Sequence, residues 1–231
     1  MKKSIQSLFI AAIVSVTVVC VQAAETASEV VVLKVKGAAK AVLPGSTTPV
    51  DVKAGSTLPQ GTVVETGEGA QVELQVFPGV VTTIEAGSKV DLSKISLSTS
   101  QGVVTKQSAI IGLSVGSVVS KLDPSKKAIN DYSVSTPKGV AAARGTEYKV
   151  VVAANGEVRL YVKHGSVTLT PKNGGPSVVV QAGFYVTVGA DGTISEPKEA
   201  TNSDVNSDRA TGNDKDAKEL IDTTIIVSPS A

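Results

Sequence analysis

From Val30 to Ile194 the chain alternates short apolar segments with turn residues and never sustains an apolar stripe at helical spacing. That rhythm constrains the fold more than any other feature. It is clearest in Glu157–Lys163, EVRLYVK. Val158, Leu160 and Val162 fall on one face and Arg159, Tyr161 and Lys163 on the other, the period-two pattern of a half-buried strand. Gln71, Glu73 and Gln75 alternate with Val72, Leu74 and Val76 in the same way. Asn155-Gly156 separates EVRLYVK from Tyr148–Val152 and is a hairpin signal, because both residues accept positive φ. Asn173-Gly174-Gly175 and Asp191-Gly192 repeat that signal. The apolar residues are mostly Val, Ala, Ile and Leu, and Trp is absent. Branched Val side chains pack well on a pleated surface, and frequent Gly supplies turns and bulges. The expectation is a single all-β domain of short strands, with no helical pattern before Asp214.

A loose internal echo runs through the domain. Gly87-Ser88-Lys89-Val90, Gly116-Ser117-Val118-Val119 and Gly165-Ser166-Val167-Thr168 each set a Gly-Ser turn before a strand. The spacing is irregular, which excludes a fixed-period array. It fits a sheet that turns at glycine-marked corners, as a β-sandwich or as a β-solenoid-like roll. The pattern alone does not separate these.

The ends differ from the middle. Lys2 and Lys3 precede an apolar stretch from Leu8 to Val21, short for a membrane span of about 20 residues. Val21-Gln22-Ala23 has small residues at cleavage positions, so residues 1–23 read as a signal peptide cut before Ala24. No membrane span is expected after that cut. Cys20 is not read as a lipidation site, because Val19 stands where a small residue is required. Cutting after Ala23 leaves no cysteine, so stability is expected to come from a packed core rather than disulfides. After Ile194 the composition turns polar. Residues 195–231 read as a largely disordered tail, since they bury too little apolar surface to offset chain entropy. Within it, 216–222 is a candidate short helix and Thr223–Val227 a candidate strand.

Charge excludes two partner classes. The chain has 22 Lys and Arg against 21 Asp and Glu; loss of Lys2 and Lys3 leaves 20 against 21, a net charge of −1. No basic patch stands out, so neither nucleic acid nor an anionic membrane surface is an expected partner.

The stretch Tyr132–Val150, YSVSTPKGVAAARGTEYKV, reads as strand, Thr-Pro-x-Gly corner, apolar strand, Arg-Gly-Thr, strand. It resembles the signature of the FecR domain, an all-β module of bacterial envelopes. Other segments resemble that domain in the same order. They are Val35-Lys36-Gly37, the block Gly55–Leu74 (with Thr62 where an acidic residue is common), Glu85–Ser88, Val90-Asp91-Leu92, Leu113–Val118 and Val158–Val167. The last is Gln181-Ala182-Gly183, which lacks the Gln expected after its Gly. The resemblance covers roughly Val30 to Val188. In FecR-type signalling proteins this domain follows a cytoplasmic anti-sigma segment and one transmembrane helix, and it senses an outer-membrane transporter. Here a signal peptide takes that place. The resemblance therefore implies a free-standing periplasmic or secreted domain without a direct hold on a sigma factor.

Candidate residues are few. Thr136, Pro137 and Gly139 read as a structural turn, with Pro fixing φ and Gly admitting positive φ. Gly145 reads as a bulge or corner. Arg144 and Thr146 are binding candidates, Arg144 through a carboxylate or a glycan group. Tyr148 and Tyr161 join them as polar aromatics, while Phe77 and Phe184 read as core. Tyr132 and Tyr185 are further tyrosines available for stacking a sugar. His164 is the only histidine, which argues against a zinc site and against a Ser-His triad with Ser166. Asp204, Asn206 and Asp208 start like a calcium loop, but Arg209 and Lys215 stand where Gly and Glu are needed. No cofactor, metal or catalytic group is expected. The function expected is non-enzymatic binding of an envelope protein. The alternative is a structural or adhesive surface protein, or a module that binds a surface polymer such as a saccharide.

Overall fold

The computed structural model describes residues 24–201. Eighteen strands follow one another: β1 (Ala24–Ala27), β2 (Glu29–Lys36), β3 (Ala39–Val42), β4 (Val50–Asp51), β5 (Thr57–Pro59), β6 (Val63–Thr66), β7 (Gln71–Phe77), β8 (Val80–Ile84), β9 (Lys89–Ser100), β10 (Val103–Leu122), β11 (Asn130–Ser135), β12 (Gly139–Ala143), β13 (Glu147–Val152), β14 (Val158–His164), β15 (Ser166–Pro171), β16 (Val178–Gln181), β17 (Phe184–Val188) and β18 (Lys198–Glu199). The one helical element among the described residues is a 3₁₀ turn, Pro124–Lys126. Asp123 caps it, accepting from the Ser125 amide at 2.9 Å. No helix among these residues is long and apolar enough to cross a membrane.

The strands form two sheets that share β10. Sheet A runs β4-β3-β6-β9-β10-β11-β12-β15-β16, with β1 alongside the second half of β9. Sheet B runs β5-β2-β7-β8-β10-β13-β14-β17-β18. Every pairing is antiparallel except β10–β11. The first part of β10, to Val115, pairs in sheet A; from Gly116 onward it pairs in sheet B.

Gly116 makes that change of sheet possible. Its φ is +92°, and a Cβ there would lie 2.4 Å from the Ser88 Cα. The neighbouring chain bends with it: the Glu85 amide donates to the Ser117 carbonyl at 3.0 Å, and the Ser117 amide to Ser88 Oγ at 2.9 Å. The three Gly-Ser turns of the sequence all mark passages between sheets. Gly87-Ser88 leads from β8 to β9, Gly116-Ser117 splits β10, and Gly165-Ser166 leads from β14 to β15.

Side chains from both sheets meet in one apolar cluster, including Val72, Leu74 and Val76 of β7 and Val90, Leu92 and Ile95 of β9. Each such side chain contributes about 1.5–3 kcal/mol by leaving water. Two sheets over one shared core match the all-β expectation. Polar atoms bridge the layers at one point: the Tyr132 hydroxyl, from β11, lies 2.6 Å from Thr82 Oγ1 and 2.9 Å from Ser120 Oγ. Burial pushes the Tyr132 phenol up to about 12, against the opposing pull of Ser120 and Thr82.

The folded unit is longer than the 30–194 that composition suggests. At one end β1 pairs with β9. At the other, Ser195 donates to Thr187, β18 pairs with β17, and the Ala200 amide donates to the Gly183 carbonyl at 2.8 Å. Backbone groups make these attachments, so polar side chains do not prevent them. Residues 1–23 and 202–231 lie outside the described residues. With them lie the signal peptide, Asp204, Asn206 and Asp208, the helix expected at 216–222 and the strand expected at Thr223–Val227.

Candidate protein-interaction site

The segment from β11 to β13 builds a turn, a short strand and a corner. Thr136 closes the β11–β12 hairpin: its Oγ1 donates to the Gly139 carbonyl at 2.8 Å and accepts from the Gly139 amide at 3.0 Å. Pro137 sits exposed between them. The chain then crosses to sheet B through Arg144-Gly145-Thr146. Gly145 has φ +69°, and a Cβ there would lie 2.7 Å from the Pro124 Cα. The corner is therefore packed against the 3₁₀ turn. The Thr146 carbonyl accepts from the Leu122 amide at 2.9 Å, tying the corner to β10.

This geometry separates the four binding candidates. Thr146 and Tyr148 are buried. The Tyr148 phenol is held well above its ordinary pKa by burial first and by neighbouring Tyr132 second. Neither can touch a partner without opening the core, because alternation turns both inward. Tyr161 lies on the outer face of sheet B. It is buried to 4% exposure and stacked on Tyr185, with ring centroids 5.2 Å apart. Of the four, Arg144 alone is exposed. The tyrosines also offer no open sugar platform: Tyr132, Tyr148 and Tyr161 are buried and Tyr185 half-buried. Phe77 is in the core, and Phe184 packs partly buried against it.

Arg144 belongs to the outer face of sheet A. It follows the last residue of β12, where the register continues toward Asp131 on one side and Ser166 on the other. Asp131 is already held by Lys106 at 2.7 Å. The other cations within the strands of this sheet are paired too: Lys40 with Asp51 at 2.6 Å, Lys89 with Glu65 at 2.7 Å and Lys94 with Glu25 at 2.8 Å. Arg144 has no ion-pair partner among the described residues. Beside it runs a charge-free row, aligned strand to strand: Ile110, Ser133, Ala142, Thr168 and Val179. A guanidinium at the margin of a flat uncharged surface suits a carboxylate carried by another macromolecule.

Two features lay beyond the sequence reading. One is this charge-free row, whose members alternate with core residues in SVS, VAAA and VTLT. The alternation was visible; the alignment of five strands was not. The other is an ion pair on the outer face of sheet B, Lys149 to Glu85 at 2.8 Å, with Lys149 only 7% exposed. Ser117 Oγ also donates to Glu85. Lys149 sits in EYKVVV with nothing local to mark its partner. His164 is exposed, 4.0 Å from Glu147. No group of three or more potential metal ligands occurs among the described residues.

Residues 62–168 match the family model described as FecR protein. That segment is similar to a FecR domain. It begins at the approach to β6 and ends within β15, so β10 and its bend lie at its centre. No curated protein matches the chain. Two crystal structures of a candidate anti-sigma factor from Parabacteroides distasonis ATCC 8503, at 1.65 and 2.50 Å, are similar to it. Each has a TM-score of 0.48 and 13% sequence identity. The similarity covers 63% of this chain and 63% or 62% of those chains, so it spans less than two thirds of their length.

Proposed function

We propose that this protein is an exported, non-enzymatic binding module whose FecR domain engages another protein of the cell envelope. The observation that supports it most is Arg144, exposed and without an ion-pair partner among the described residues, whereas the cations within the strands of the same sheet each hold a carboxylate. An unpaired guanidinium beside an uncharged face leaves a strong, directional donor set for a partner's carboxylate. Export rests on the reading of residues 1–23 as a signal peptide, and it places the partner in the periplasm or outside the cell.

In-cell crosslinking in the native envelope, with mass spectrometry of what is captured, tests the reading. One dominant heterologous protein is the expected result, lost in Arg144→Glu with an unchanged melting temperature. If Arg144→Ala and Arg144→Glu lower the melting temperature and leave capture intact, Arg144 is a structural residue and the surface lies elsewhere.

A further inference from the structure

The strands that end the two sheets are unequal. At one end of sheet A, β4 is two residues long and carries Asp51, paired to Lys40. In sheet B, β5 closes on Pro59 and β18 consists of Lys198 and Glu199. Brevity, proline and charge are the devices by which folded proteins keep edges from pairing. β1, at the edge beside β9, carries Glu25, paired to Lys94. The remaining end, β16, is only four residues long, yet it has neither proline nor charge. It reads Val178-Val179-Val180-Gln181, its pairing is with β15 alone, and its outward side chain Val179 is 53% exposed. It lies beyond residues 62–168, which match the family model.

We infer that β16 is a self-association edge, at which two copies of this chain pair antiparallel through a two-fold axis close to Val179. The charge pattern favours a second copy as the occupant. In a two-fold contact each side chain near the axis meets its own counterpart, so any charge there meets a like charge. β16 carries no charge, and its neighbours in the row, Thr168 and Ala142, carry none either. Backbone groups on the free side of β16 would find donors and acceptors in the same strand of the partner, extending sheet A across the axis. Four residues bury less than a standard interface, so the association is weak and concentration dependent. This inference does not depend on the heterologous partner proposed above, and Arg144 lies two strands away.

Sedimentation equilibrium of the purified protein over a wide concentration range tests it. A monomer–dimer equilibrium is expected, weakened about tenfold by Val179→Lys, which sets two ammonium groups face to face. Val50→Lys at the opposite edge should leave it unchanged. Val179→Cys in a Cys20→Ser background should form a disulfide between copies on mild oxidation, which keeps the test decisive if the lysine variant folds poorly. A protein that stays monomeric overturns the inference, whether β16 is bare or covered by another segment or another protein. A dimer indifferent to Val179→Lys, or a Val179→Cys protein that never cross-links, overturns it equally.

Discussion

The outer faces of the two sheets cover the same apolar core, and the row from β10 to β16 on sheet A differs in chemistry from its counterpart on sheet B. From β10 to β16 of sheet A the row Ile110, Ser133, Ala142, Thr168, Val179 has no charge, and one strand further, on β9, it meets Lys94. Across sheet B the corresponding row is Glu73, Thr83, Val119, Lys149, Tyr161, Tyr185, Lys198. That face holds an ion pair largely out of water and a stacked aromatic pair. Inner faces are fixed by packing, and both sheets solve that problem with Val, Leu and Ile. Outer faces are left to other demands. Sheet B spends this row on internal contacts, while the row from Ile110 to Val179 in sheet A has none of that kind; the ion pairs of sheet A lie elsewhere, on β1, β3, β4, β6 and β9 and at Lys106–Asp131.

The severest test of the comparison removes what the two faces share. Gly116→Ala puts a methyl group 2.4 Å from backbone at φ +92°. It should cost about 4 kcal/mol, measured by urea unfolding, and should damage both sheets together. Amide exchange that speeds up in one sheet only would show that the two are separable.

Alkali probes the interior that both faces enclose. The Tyr132 phenol has its pKa raised to about 12, and Tyr148 is raised in the same direction. In the unfolded chain both ionise near 10. Between these values the unfolded state loses the proton first, so stability is complete below about pH 10 and falls as pH rises towards 12. Tyr132 alone accounts for a loss on the order of 3 kcal/mol. Phenolate absorbance should rise together with loss of tertiary structure; early ionisation of all four tyrosines in a folded protein would contradict it.

Lys149→Met asks whether the chemistry of sheet B matters to the fold. It removes the ammonium from a half-buried carboxylate and should destabilise by about 2 kcal/mol in the same unfolding measurement. The matched change on the other face, Ser133→Lys, adds a charge to an open surface and should stay within about 0.5 kcal/mol. Equal effects from the two variants would erase the distinction between the faces.

Much of this architecture was legible in the residues. Alternation in EVRLYVK and QVELQVF gave strands with the correct inward faces, and Asn155-Gly156 gave the hairpin between β13 and β14. The Gly-Ser turns gave the corners, because a chain that must turn between layers needs positive φ there. What stayed hidden depends on which strands become neighbours. Tyr148 and Tyr161 looked alike as polar aromatics near an arginine, but alternation sends one into the core and the other to the far face. The strand at Lys198–Glu199 was missed because two charged residues carry no apolar signal and are held by backbone bonds. Arg144 drew attention for its motif, yet its significance comes from Lys106, which holds Asp131, the next residue along the register on β11, and sits far away in sequence.

The twenty-residue strand β10 has a consequence for how the molecule can fail. Most two-layered proteins can in principle lose one layer while the other persists as a fluctuating remnant. Here the central strand of both layers is one uninterrupted stretch of backbone, so the middle of one layer is covalently continuous with the middle of the other. Partial opening should thus be confined to the rims, and the segment between them should come apart as a single event. A protease that trims this protein from its ends is expected to stop abruptly, leaving one resistant fragment built around β10.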